Sequence, residues 1–306
     1  MGIESKYIWM NGKFVDYEKA TVPFLNPALH YGFACFEGIR CYNTDQGPAI
    51  FRNREHMQRL AESAHIMGFQ KLPFTTADLM KAARDTVAKN DFIACYIRPL
   101  VYLISPSMGL NMDLGEAHVS IAAWEWGSML GEESLTKGIR ANVSSFTRHH
   151  PNVMMTKSKA AGNYVNSMLA KSEAVRAGFD EAIMLDPQGY VAECTGENLF
   201  LVRKGKIYTS HTAAILEGIT RDAIITLAKG LGYEVVEQPL VRDQLYVADE
   251  VFMCGTAAEC VPVREIDRRQ IGEGMAGPVT KAIQQAFNEV IKGRHTHSAE
   301  WLDYIG

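Results

Sequence analysis

No stretch of this 306-residue chain approaches the ~18 consecutive apolar residues of a membrane-spanning helix, so a helical membrane protein is not expected. Its six cysteines, at 35, 41, 95, 194, 254 and 260, include no C-x-x-C pair, which argues against a zinc site and against a disulfide framework. Basic runs are missing as well, and the formal net charge of -4 offers no electrostatic footprint for nucleic acid. The opening MGIESKYIWMNGKF carries charges where a secretory signal needs an apolar run, and Lys6 stands where a myristoylation signal needs Ser or Thr. Asn142-Val-Ser is a lone glycosylation triplet and carries no weight without such a signal. Internal repeats and low-complexity segments are absent. These absences leave a cytoplasmic, reduced, soluble protein, with no metal, membrane or nucleic-acid partner expected.

What is present is ordinary globular material: 47% hydrophobic and 22% charged residues, in a length that suits about two domains. Residues 7–15 place Asn11-Gly12 between apolar runs, a hairpin signal, and residues 31–51 continue with strand-like segments. Asn53 is positioned to cap a helix whose apolar residues Met57, Leu60, Ala61, Ala64 and Met67 follow helical spacing. A second helix is predicted over 76–90, and strands over 95–104 and 118–124. Residues 125–138 hold three glycines and little periodicity, so they read as a connection between a small domain, 1–124, and a larger one, 139–306. The larger domain shows a strand at 139–146, a helix at 163–177, a hairpin series, a helix at 220–230, a strand at 250–254 and a last helix at 278–292 starting with proline. Hairpins mixed with helices predict an α+β fold and not a doubly wound sheet.

One motif misleads. Gly272-Glu-Gly274-Met-Ala-Gly277 fits G-x-G-x-x-G, but too little chain follows for a βαβ unit, and no acidic residue stands about 20 positions on. It reads better as a glycine-rich loop feeding a helix. More informative are four scattered segments. Lys159 lies in Thr-Lys-Ser-Lys-Ala-Ala-Gly-Asn-Tyr just before a helix, although a lone loop lysine is more often merely solvated. Glu193 opens Glu-Cys-Thr-Gly-Glu-Asn at a strand end, a setting that also suits a plain polar turn. Glu217-Gly-Ile-Thr-Arg-Asp opens a helix with Thr220 as its expected N-cap, and free amides there can bind phosphate. Gly255-Thr-Ala-Ala-Glu follows an apolar strand, where small residues let backbone amides approach a ligand.

In this order, with HYGFACFEGIRCY, REHMQRL, YIRPL, KAAGNY, ECTGENLF, EGITRDAI and DEVFMCGTAAE, the chain resembles the fold-type IV pyridoxal-phosphate enzymes, specifically the branched-chain amino acid aminotransferases. The resemblance covers nearly the whole chain and implies a small N-terminal α/β domain with a β-barrel-like core in the larger C-terminal domain. It implies reversible transfer of amino groups between L-leucine, L-isoleucine or L-valine and 2-oxoglutarate, with a place in branched-chain amino acid biosynthesis. The cofactor it implies is pyridoxal 5′-phosphate, with amino acids and 2-oxo acids as small-molecule partners.

Residue by residue, the resemblance makes Lys159 the catalytic Schiff-base lysine that also shuttles the proton at Cα. Glu193 would face the pyridine nitrogen, and Tyr164 would bond the phenolic oxygen. Arg59, with Ile219, Thr220 and Thr256, would hold the phosphate, even though helical spacing alone puts Arg59 on a polar face. The substrate side chain would meet Tyr31, Phe36, Gly38 and Trp126, and Ala257 and Ala258 would offer amides to the α-carboxylate. Arg98 shares a strand face with Tyr96 and would take the second carboxylate of glutamate. The family's Tyr31 and the loop holding Leu110 come from a neighbouring subunit, which implies a homodimer as the minimal active unit.

Two positions depart from the family's habit: Met129, where a Tyr is frequent, and Cys194, where a Gly is common. D-amino-acid aminotransferases, (R)-amine transaminases and aminodeoxychorismate lyases share the fold. The loop 105–113 lacks the basic residues by which D-specific enzymes trap the α-carboxylate, which favours L-substrates. A silent interaction protein on the same fold would not need Lys159, Arg59, Tyr164 and Glu193 together.

Overall fold

The computed structural model describes residues 5–111, 113, 115–127 and 133–306. Two compact units divide the chain, and neither is contiguous: one comprises 1–126, 157–162 and 289–306, the other 127–156 and 163–288. The segment at 157–162 and the last strand, Leu302–Tyr304, fall in the first unit because they hydrogen-bond to strands near its N-terminus.

The first unit is built on an antiparallel sheet, eight-stranded among the described residues. Its order runs Leu302–Tyr304, Gly47–Phe51, Ile39–Thr44, Cys95–Ile104, Glu116–Trp124, Tyr7–Met10 and Lys13–Asp16, with Ala34–Phe36 also pairing Cys95–Ile104. The Asn11-Gly12 turn has both residues at positive φ, +47° and +97°, as a two-residue hairpin of matching twist requires. Helices Asn53–Ile66 and Thr76–Lys89 bury Met57, Leu60, Leu79, Ala83 and Val87 against Ile39, Ile97 and Ile121 of the sheet. Thr75 and Asp78 form a reciprocal capping box at the second helix.

Asn53 does not cap the first helix. Arg52, at φ +51°, holds that position without a side-chain bond, and the Asn53 amide instead donates to Asp303 Oδ2 (2.7 Å) and to the Met80 carbonyl (3.2 Å). Burial explains the difference: a fully enclosed amide finds partners from packed elements before its own backbone. A short helix, Pro27–Tyr31, breaks the strand-like reading of the segment that begins at 31. It is capped by Asn26, starts on proline and ends at left-handed Gly32.

The second unit holds a sheet of nine strands among the described residues. Its order is Val191–Cys194, Glu181–Leu185, Ile139–Val143, Glu259–Ile266, Glu250–Gly255, Asn198–Arg203, Lys206–Thr209 and Val235–Glu237, with Arg269–Gln270 on Glu259–Ile266. The two ends of this order return to each other: Val191 N–H donates to the Leu240 carbonyl at 2.8 Å, and Tyr190 bridges Val241. That closure makes the sheet barrel-like, as expected. Leu199, Leu201, Met253, Val261 and Val263 fill one face, and Phe200 stacks on its cross-strand partner Phe252 at 5.0 Å. The expected strand at 139–146 stops at Val143.

The glycine-rich loop at 272–277 leads into helix Pro278–Ile291, whose N-terminus is already occupied. Glu250 accepts from Val279 N (3.0 Å), Thr280 N (2.8 Å) and Thr280 Oγ1 (2.6 Å). A Cβ on Gly277 would lie 2.1 Å from the Glu250 carboxyl carbon. A carboxylate seated on the helix N-terminus leaves no place for a pyrophosphate, consistent with rejecting the dinucleotide motif.

Candidate active site

Lys159 is presented by backbone pairing. Phe36 N–H donates to the Lys159 carbonyl (3.0 Å), Cys35 bridges Ala160, and Lys159 N–H donates to Ser63 Oγ (3.0 Å). Gly162 N–H reaches the Gly32 carbonyl at 3.1 Å, and a Cβ on Gly32 would meet Gly162 Cα at 3.0 Å. The small residues around Lys159 thus allow a peptide to lie against Ala34–Phe36. From that perch the half-buried lysine sets its amine 5.2 Å from the centre of the Phe36 ring.

Phe36 has a second cation beside it. The Arg98 guanidinium carbon lies 4.6 Å from the Phe36 ring centre, 5.4 Å from Tyr96 and 5.8 Å from Trp124. Trp126 packs on Tyr96 at 5.0 Å and on Trp124 at 5.6 Å. Gly38 is required here by space alone: a Cβ would lie 1.9 Å from the Tyr96 hydroxyl. Phe36, Gly38, Tyr96, Arg98, Trp126 and Lys159 are therefore gathered in one unit.

Arg59 points inward, with its side chain 13% exposed, because a buried carboxylate waits for it. Glu37 takes Arg59 Nε at 2.6 Å and Nη2 at 2.9 Å, and His56 Nδ1 lies 2.8 Å from the same carboxylate. Burial alone would raise the Glu37 pKa, but the charges and hydrogen bonds of Arg59 and His56 outweigh it and hold the group well below the carboxylate range. His56 is held down, chiefly by burial, with Arg59 and Lys159 adding to the effect against Glu37. Tyr31 and Leu110 stand apart from this group. Tyr31 is half exposed and donates to the Met108 carbonyl (3.0 Å), and Leu110 is 81% exposed.

In the second unit Glu193 is buried, ion-paired with Arg148 and held by two hydrogen-bond donors. Arg148 Nε lies 2.7 Å from Oε1, while Leu216 N–H (3.2 Å) and the Asn198 amide (3.3 Å) reach Oε2. Asn198 also donates to the Leu216 carbonyl (3.1 Å), and a Cβ on Gly218 would strike Asn198 Oδ1 at 2.1 Å. Glu193 is thereby tied to the start of helix Ile219–Gly230. Thr220 is not its N-cap: Gly218 is, without a side-chain cap bond, so the first-turn amides of Ile219 and Thr220 are not claimed by a capping side chain. Thr256, Ala257 and Ala258 form the turn between Glu250–Gly255 and Glu259–Ile266, where Gly255 lies against Glu197. Tyr164, half-buried, begins helix Tyr164–Arg176.

Sequence reasoning missed Glu37, His56, Trp124, Arg148 and Asn198. Glu37 gave a faint signal as an acidic residue in an apolar strand region; Arg148 gave none. Cys194 is buried beside Glu193 in the strand, with its thiol pushed up by burial, and Met129 lies outside the described residues. Among the described residues no cluster of side chains could hold a metal ion, and no helix is long and apolar enough to cross a membrane.

The second unit thus carries a buried carboxylate beside an uncapped helix start on its barrel-like sheet, and the first carries a lysine on a strand-paired peptide. The family profile described as amino-transferase class IV matches residues 34–266, and the chain belongs to this family. Its relatives narrow the branch. It is 49% identical to a branched-chain-amino-acid aminotransferase of Pseudomonas aeruginosa over 97% of both chains. The crystal structure of the Escherichia coli branched-chain amino acid aminotransferase superposes with a TM-score of 0.97, at 50% identity, over 99% of this chain and 100% of that one. The branched-chain amino acid aminotransferase from Thermobaculum terrenum, solved in its PLP-form, gives 0.93 at 37% identity, over 100% of each chain.

Proposed function

We propose that this aminotransferase uses pyridoxal 5′-phosphate to exchange amino groups between L-leucine, L-isoleucine or L-valine and 2-oxoglutarate. The observation that carries the reading is the Phe36 ring, whose centre lies 5.2 Å from the Lys159 amine and 4.6 Å from the Arg98 guanidinium carbon. A reactive amine and a carboxylate receptor share one aromatic wall. An enzyme that alternates between an apolar side chain and that of glutamate needs both.

The donor set fits the cofactor. Glu193, fixed by an ion pair and two hydrogen bonds, suits a protonated ring nitrogen, and the Ile219 and Thr220 amides with the cradle at Gly218 suit a phosphate. Arg59 and Thr256 complete the phosphate set in this reading, and Tyr164 takes the phenolic oxygen. When bound, the cofactor supplies an electron sink for the carbanion at the amino acid Cα. Lys159 Nζ removes the Cα proton and returns one on the way back. Ala257 and Ala258 offer amides to the α-carboxylate, and Phe36, Gly38 and Trp126 line the side chain.

The active assembly in this reading is a homodimer in the cytoplasm, serving branched-chain amino acid biosynthesis. Tyr31 and Leu110 then face a neighbour's substrate. Supporting this, Phe24, Leu25 and Leu29 are 74, 62 and 61% exposed in the first unit, and Met168 is 67% exposed in the second.

The test is a half-reaction screen of the yellow, cofactor-loaded protein against single L-amino acids, D-amino acids and (R)-amines. Bleaching by L-leucine and L-glutamate is expected, and Lys159→Ala should abolish it, a loss of at least several orders of magnitude. A protein that takes up no pyridoxal phosphate, or that bleaches only with D-amino acids, would overturn the reading.

A further inference from the structure

The aromatic setting of Arg98 follows from strand register. Tyr96 faces Trp124 directly across the antiparallel pair Cys95–Ile104 and Glu116–Trp124, and Phe36 faces Leu100 on the other neighbour. Side chains two apart on a strand share a face. Tyr96, Arg98 and Leu100 therefore point the same way, with Trp124 beside Arg98 at one end and Phe36 at the other. Three rings surround one guanidinium, at 4.6, 5.4 and 5.8 Å. Among the described residues no carboxylate pairs with Arg98. Its nearest polar contact is the Tyr96 hydroxyl at 3.5 Å, and its buried Nε has no hydrogen-bond partner.

A half-buried arginine without a counter-ion is costly unless something else stabilises the charge. Ring faces do so without competing for the guanidinium's edge, where a carboxylate binds in plane. We propose that Trp124 is a specificity-determining residue. With Phe36 and Tyr96 it cages Arg98 as a cation that needs no carboxylate, so the same pocket accepts an apolar side chain in one half-reaction and a dicarboxylic substrate in the other. The proposal rests on the substrate reading given above. Without the Trp124 wall, Arg98 draws water into the pocket. An apolar side chain must then displace that water with no compensation, whereas the distal carboxylate of glutamate replaces it with an ion pair. Loss of Trp124 therefore penalises leucine more than glutamate.

The experiment compares Trp124→Leu and Trp124→Phe with the unsubstituted holoenzyme, using two unreactive probes, 4-methylpentanoate and glutarate. Dissociation constants come from the change in cofactor absorbance, and the leucine and glutamate half-reactions supply kcat/KM. Trp124→Leu should weaken 4-methylpentanoate roughly three- to tenfold while glutarate changes less than about twofold, with the same split in kcat/KM. Trp124→Phe should recover most of the difference, and in an Arg98→Met background Trp124→Leu should leave the ratio unchanged. Equal weakening of both probes, or an effect that persists without Arg98, overturns the proposal. If Trp124→Leu does not fold, Trp124→Phe and Trp124→Tyr must still shift the ratio in the order of ring strength, and failure to do so is equally decisive. An unsubstituted enzyme that turns over neither leucine nor glutamate refutes the substrate reading instead.

Discussion

A side chain's neighbours across the fold, more than those along the chain, decide what it does here. Helical spacing places Arg59 on a polar face, yet Glu37, 22 positions earlier, draws it inward through two hydrogen bonds. Lys159 is flanked by residues that would suit any loop, and only the pairing of its peptide with Ala34–Phe36 gives it a direction. Arg148 carries no local mark at all, since its value lies in Glu193, 45 positions on. Its neighbour His149 supplies a consequence that can be read in solution. Burial, then the charge of Arg148, pushes the His149 pKa down to about 4. The unfolded chain takes up that proton near ~6.5, whereas the folded chain resists until about 4. Unfolding therefore consumes a proton in that window, and stability must fall as pH drops through it. His149→Gln cannot be protonated, so its melting temperature should decline less than that of the unsubstituted protein between pH 6.5 and 4, with the difference constant above pH 7. Parallel melting curves across the range would show that His149 is not the group responsible.

Elements were legible in proportion to their length. The helices Asn53–Ile66, Thr76–Lys89 and Pro278–Ile291 follow from apolar spacing and a proline start, whereas the five residues of Pro27–Tyr31 are too few to show a period. Helix ends were read less well, because capping is settled by whatever packs nearby. Asn53 and Thr220 both look like caps in sequence, and neither is one. The start of Pro278–Ile291 is the opposite case, a cap supplied from a different strand by Glu250. Glu250→Ala strands two buried amides and a hydroxyl, a loss of about 2 kcal/mol, while Glu250→Gln keeps part of the bonding. The midpoint of urea unfolding should fall for Ala, and by a smaller step for Gln. An unchanged midpoint in the Ala variant would mean that water or another group satisfies the helix start.

At the scale of the molecule, the α+β class was foreseeable from hairpins mixed with helices, and the barrel-like sheet only from the family resemblance. Linear sequence carries no sign that three residues, Leu302–Tyr304, close a sheet begun near residue 7, or that six residues at 157–162 leave one unit for the other. The chain passes between units after 126, 156, 162 and 288, so the gene cannot be cut once into two folding pieces. A backbone break between Gly127 and Glu133 should still run as a single particle in gel filtration, although it yields two bands in denaturant. The N-terminal piece remains hydrogen-bonded to Leu302–Tyr304 and to the Lys159 peptide, both carried by the other piece. Separation without denaturant would contradict this. Lys159 thus sits on a stitch, residues 157–162, flanked in sequence on both sides by residues of the second unit and hydrogen-bonded into the sheet of the first. A lineage that traded one unit for a foreign module would lose it, which makes this architecture one that evolves by changing side chains in place and not by recombining parts.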